Sequence, residues 1–166
     1  MGKFTVMHEI HCNEDAFWKL FFDKELNERL YREALGYPEY QTVEQNETST
    51  EIARKVSACP RMNLPGPVMK IFGSGYRYIE EGRFDKDTKR WTAKQIPSTL
   101  ADKLRQESML SVEPIGPDRV RRVISYLVEA KIFGIGGLVE SSFEKQLREE
   151  GDESAVFLNK SLAASK

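Results

Sequence analysis

The chain has 166 residues, 40% of them hydrophobic and 31% charged, with a formal net charge of -1. This length suits one domain spanning 1–166, and the mixture excludes disorder and a basic surface for nucleic acid. No apolar run reaches the roughly 18 residues of a membrane span, and the charged opening lacks the apolar block of a secretory leader, so the expected setting is cytoplasmic.

The opening segment alternates, with Phe4, Val6, His8, Ile10 and Cys12 set against Thr5, Met7, Glu9 and His11, the period of a half-buried strand over residues 3–12. Asn13 can cap a helix over residues 14–22 that carries Glu14 and Asp15 in its first turn. In ELNERLYREAL, Leu26, Leu30, Ala34 and Leu35 recur at helical spacing and stop before Gly36 and Pro38, so a second short helix follows. Residues 40–58 alternate on either side of NETST, which predicts a hairpin of polar strands suited to a sheet edge. The segment CPRMNLPGPVMKIFGSG is too rich in proline and glycine for a long element and predicts a covering loop with one helical turn.

Strands are expected at 76–84, 90–95, 103–112 and 119–132, for about six antiparallel strands after strand one. In the last of these, Val120, Arg122, Ile124, Tyr126, Val128 and Ala130 form the more apolar side, which should face the interior. Beyond GIGG, apolar residues from Ile135 to Leu162 recur with the period of one long amphipathic helix, in which Gly151 marks a candidate kink.

If the even-numbered sheet positions face inward, they carry His8, Arg54, Glu80, Gln106 and Arg122 with them. Each must be paired or hydrated, either by a ligand head group or by an internal pair such as Arg54 with Glu80. A slip of one residue would turn them all to solvent. Tyr76, Tyr78, Ile124 and Tyr126 on the same face either fill a core or wall a cavity. Leu64, Met69 and Phe72 offer an apolar cover from the proline-rich loop, or a satellite core beneath it. Leu138, Ser142 and Phe143 belong to the helix, where Ser142, Gly151 and Ser154 would leave space against a concave sheet. Gly134, Gly136 and Gly137 serve a sharp turn, a hinge, or both. His8 and His11 point to opposite faces of a strand, so no shared metal is expected. Cys12 and Cys59 have the spacing of neither a disulfide framework nor a zinc site. No nucleotide-binding or catalytic motif is present, so no cofactor and no enzyme is expected.

In its opening FTVMHEIHCNEDAFWKLFFDKEL, its GYRYIEEGRFD strand and its GIGGLVESSFEKQLREE helix entry, the chain resembles the START-like (SRPBCC) superfamily, and more closely the bacterial DUF2505 family. The resemblance covers nearly the whole chain. It implies an α+β helix-grip (START/Bet v 1-like) fold, in which a curved antiparallel sheet wraps around a long C-terminal helix and two short helices follow strand one. It also implies a hydrophobic tunnel that takes a lipid, sterol or other small apolar ligand for transport or sensing. Two alternatives stand beside this reading. One is a START-like enzyme of cyclase or hydrolase type, which would need His8, Glu80 and Tyr126 to converge. The other is an interaction module with a filled core that docks a protein or makes transient membrane contact.

Overall fold

The computed structural model describes residues 2–165. β1 (Gly2–Ile10) leads into α1 (Glu14–Phe21) and α2 (Lys24–Arg29). The hairpin β2 (Glu39–Glu47) and β3 (Glu51–Cys59) precedes α3 (Gly66–Phe72), then come β4 (Tyr78–Asp85), β5 (Arg90–Pro97), β6 (Leu104–Gly116), β7 (Arg119–Ala130) and α4 (Gly136–Ala164). The seven strands form one antiparallel sheet in the order β1-β7-β6-β5-β4-β3-β2. The helix-grip expectation holds, with the first strand and the six further strands that the sequence predicts.

Local chemistry sets the short helices. The Asn13 side chain accepts from the Ala16 N–H and the Asp23 side chain from the Leu26 N–H, each satisfying an N-terminal donor that the helix itself leaves free. Buried Asn27 donates to the carbonyls of Phe21 and Asp23 and thereby folds α2 back onto the end of α1. The second helix does not run on to Leu35 as its periodicity predicts: it widens into a π turn at Leu30–Ala34. That turn swings Tyr31 into a face-to-face stack with Tyr40, ring centres 4.0 Å apart.

The register is the one the alternation predicts. His8 pairs with Arg122, Val6 with Ile124 and Phe4 with Tyr126, so the even positions of β1 and β7 share the inner face. Arg54 and Val56 of β3 lie on that same face, as do Tyr78 and Glu80 of β4. Across the sheet, Gly82 leaves room for the Trp91 ring: a Cβ there would stand 2.0 Å from Cζ2 of the indole.

α4 runs unbroken for 29 residues, roughly 43 Å, through Gly151. Gly151 serves proximity, since an added Cβ would lie 2.8 Å from Cε1 of His8. Three polar clamps hold the helix to the sheet. Near its start the Glu140 carboxylate accepts from the Ala130 N–H, and near its end Asn159 bonds both the His11 N–H and the Glu9 carbonyl of β1. Between them, Arg122 donates to the Gly151 carbonyl and to Ser154 Oγ. In the GIGG entry, Gly134 has φ +76° and Gly136 packs where a Cβ would meet the Ala130 carbonyl oxygen at 2.4 Å, whereas Gly137 has open space. The segment is thus a sharp strand-to-helix turn with two obligatory glycines.

Replacing Gly82 by Ala should overpack the Trp91 contact and cost about 1–3 kcal/mol. A lowered urea midpoint with an unchanged slope is the expected result; an unchanged midpoint would show that the indole can swing aside.

Candidate functional site

Two apolar clusters fill the interior, one built around Tyr37, Val56, Phe72 and Val139, the other around Ile10, Phe17, Trp91 and Val120. Between them lies a cavity of about 150 Å³, bounded by the inner sheet face, by α1 and the π turn, and by α4. Its walls mix aromatic rings with Arg54, Glu80, Gln106, Arg122 and Glu150. Polar side chains this deep require partners, and their hydrogen bonding defines the site.

Arg54 is only 6% exposed. Its guanidinium lies over Phe21 at 4.5 Å and Trp91 at 4.7 Å, donates to the Phe21 carbonyl at 2.6 Å, and stands 4.0 Å from the Glu80 carboxylate. Gln95 donates to the other oxygen of Glu80. The aromatic run of α1 therefore builds a cation cage, in which flat rings face a weakly hydrated guanidinium.

Arg122 is 5% exposed and differently held. Its Nη2 serves the Gly151 carbonyl, Ser154 Oγ and His8 Nδ1 at 3.0–3.1 Å, all uncharged acceptors. A guanidinium can only donate, so His8 Nδ1 must accept, which leaves the proton on Nε2, 2.9 Å from the exposed Asp152. Burial, the larger cause, and the Arg122 charge outweigh Asp152 and hold His8 below the usual histidine range.

Glu150 projects from α4 toward the cavity, receives the Tyr37 hydroxyl at 2.7 Å and the Gln146 amide at 3.3 Å, and is pushed up to about 7, chiefly by burial. Burial also raises Tyr31, Tyr37, Tyr78 and Tyr126, so all four stay protonated at neutral pH. Among the described residues, the Tyr31, Tyr78 and Tyr126 hydroxyls have no hydrogen-bond partner in the protein, although each lines the cavity. The site thus offers neutral hydroxyls, two guanidiniums and a carboxyl poised between its two forms. No group of three or more metal-ligating side chains converges among the described residues.

Of the residues singled out in the sequence, Arg54, Leu64, Tyr76, Tyr78, Glu80, Gln106, Ile124, Tyr126 and Phe143 meet at this cavity. The remaining five do not line it. His8 lies behind Arg122, screened by that side chain. Phe72 packs against Tyr76 and Phe143 and supports the wall from outside, while Met69 on α3 is half-buried away from it. Leu138, 41% exposed, and buried Ser142 fall off the helical stripe that carries Phe143, Leu147, Glu150 and Ser154 inward, because each residue turns the helix by about 100°. Sequence reasoning missed Phe21, Tyr31, Tyr37 and Glu150. For the first three the signal was the density of aromatics in AFWKLFF and around the π turn; Glu150 sits in REEGDE, where nothing separates it from solvated neighbours.

The DUF2505 family model, described as a protein of unknown function, matches residues 5–162. No curated protein matches the sequence. Similar solved structures include TTHA0849 from Thermus thermophilus, at 19% identity and TM-score 0.70, covering 99% of this chain and 100% of that one. A START superfamily protein from Mycobacterium smegmatis aligns at 15% identity and TM-score 0.60 over 99% of each chain. The Zhui aromatase/cyclase from Streptomyces sp. R1128 aligns at 8% identity and TM-score 0.67, covering 97% and 95%. The last corrects the expectation that no enzyme is present: the same fold serves a protein named for catalysis, so a missing nucleophile motif does not exclude activity. No helix among the described residues is long and apolar enough to cross a membrane.

A carboxyl raised from 4.5 to about 7 holds a proton in the folded state that the unfolded chain has already released. Its contribution to stability therefore falls as pH rises between those values, by on the order of 3 kcal/mol, and is level above them. The lowered His8 acts in the opposite sense and is common to wild type and variant. Urea denaturation across this range should show Glu150→Gln gaining on wild type by about that amount as pH rises; parallel curves would place the Glu150 carboxyl in water.

Proposed function

We propose that this chain, a member of the DUF2505 family by its match over residues 5–162, is a ligand-binding domain that holds one small, apolar-bodied molecule between its sheet and α4. The observation that carries this reading is the cavity itself, lined among the described residues by tyrosines whose hydroxyls have no protein partner and by two arginines whose Nε atoms are buried without one. A filled core would strand those groups at about 1–3 kcal/mol each, whereas a ligand with a polar head and a flat or aliphatic body satisfies both kinds of wall. A START-like fold generally takes small hydrophobic ligands, which supports the same reading.

Size narrows the ligand class. A cavity of about 150 Å³ in another protein takes up benzene, and sites for drug-sized molecules occupy roughly 300–1,000 Å³. One ring or a short acyl chain suits the present volume; a sterol or phospholipid would require the segment 60–75 or α4 to yield. A second reading rests on Glu150. A carboxyl near 7 beside the Tyr37 hydroxyl, facing the ligand space, has the reach and acidity for proton transfer to a bound carbonyl compound.

Native mass spectrometry of the purified protein, followed by organic extraction, tests the binding reading. A retained small molecule, and quenching of Trp91 fluorescence by added aromatic probes, are expected. Ser108→Phe, which projects a ring into the cavity, should weaken uptake at least 10-fold while the fold persists by circular dichroism. Absence of any bound or competing molecule would remove the proposal. Proton transfer predicts exchange of solvent deuterium into the α-carbon of a bound ketone that Glu150→Gln abolishes without loss of binding.

A further inference from the structure

The two buried guanidiniums differ in their charge balance. Arg54 has Glu80 beside it and three aromatic faces around it. Arg122 has no carboxylate within 4.0 Å among the described residues. Asp152 lies beyond the His8 ring and is 78% exposed, so water screens it. Among the described residues, all three acceptors of Arg122 converge on Nη2, Nε is buried with no partner, and no group accepts from Nη1. The arrangement pins Nη2, encloses Nε in protein and leaves Nη1 to the cavity that the side chain lines.

A guanidinium stays charged in proteins, and removing a charge from water without a counter-ion is among the costlier things a fold can do. The strands nevertheless hold this one in place: register sets Arg122 opposite His8, and Gly151 on α4 lets the helix carbonyl reach it. A planar donor with unfilled N–H groups, fixed from behind by uncharged acceptors, is complementary to a planar anion approaching from the cavity.

Building on the ligand-binding reading, we propose that the molecule held in the cavity is an organic acid, whose carboxylate pairs with Arg122 while its ring or short chain lies among Tyr31, Ile124 and Tyr126. Arg54 cages the opposite region and belongs to the protein's own charge pair with Glu80. Carboxylates of aromatic and of acyl type share the chemistry that Arg122 recognises, and the body of the molecule separates them.

Calorimetric titration of the full chain with 4-propylbenzoate and with octanoate, each beside its primary amide, tests this without altering the protein. The acids are expected to bind at least 10-fold more tightly than their amides, and whichever pair binds better assigns the body. Arg122→Gln should abolish that preference, bringing the acid to amide affinity ratio close to one, and Arg54→Gln should leave a ratio of at least 10 in place. Arg122→Lys, which keeps the charge, should retain part of it if Arg122→Gln fails to fold. Equal affinity of acid and amide would overturn the acid assignment and leave the cavity reading intact. A preference that survives Arg122→Gln but vanishes in Arg54→Gln would overturn the role of Arg122. Failure of all four probes, with nothing extracted from the purified protein, would remove both.

Discussion

The middle of α4 is held against the sheet by the guanidinium of Arg122, which is met there by the Gly151 carbonyl, Ser154 Oγ and the His8 ring. Hydrogen bonds to a charged group contribute about 1.5–3 kcal/mol where an orphaned one costs more. The clamp is therefore directional: it fixes which turn of the helix faces β7 and at what height. Gly151 is part of the same constraint, since any larger residue would push the helix off the His8 ring. With the middle of α4 fixed in this way, the Glu140 and Asn159 contacts complete a three-point attachment of one long helix to two neighbouring strands.

This attachment explains why the interior is not a single packed core. Apolar side chains collect into two clusters, and the polar belt between them prevents collapse. Arg54 with Glu80, Gln95 and Gln106 come from the sheet, and Glu150 with Gln146 from the helix. Side chains that must keep hydrogen bonds cannot interdigitate as aliphatic groups do, so space remains between the two layers. Burial then alters the chemistry of what faces that space: the tyrosines are held as neutral donors and Glu150 is brought close to neutrality in its titration. A cavity with such a lining can select a ligand by its head as well as by its bulk.

The fold neighbours span proteins described by superfamily alone and an aromatase/cyclase, which agrees with a scaffold whose chemistry is set by the residues placed in its cavity. Here those residues include a caged cation with its own carboxylate, a second cation without one, and a carboxyl near neutrality. Binding and proton transfer are compatible uses of the same space.

Much of this was legible in the chain itself. The alternation of β1 and β7 determined which side chains face inward, the Asn13 cap determined where the first short helix begins, and GIGG determined an abrupt entry to α4, because each follows from the geometry of a single segment. The inward polar residues on the sheet, Arg54, Glu80, Gln106 and Arg122, could be named for the same reason. Tertiary structure alone decided what meets them. Helical phase excluded Leu138 and Ser142 and admitted Glu150, the π turn brought in Tyr31, and His8 was screened by the arginine it supports. The Arg54 pair with Glu80 could be named from neighbouring strands, whereas the surroundings of Arg122 depend on which distant segments arrive beside it, and a contact such as that with His8, 114 residues away, leaves no periodic trace in a sequence.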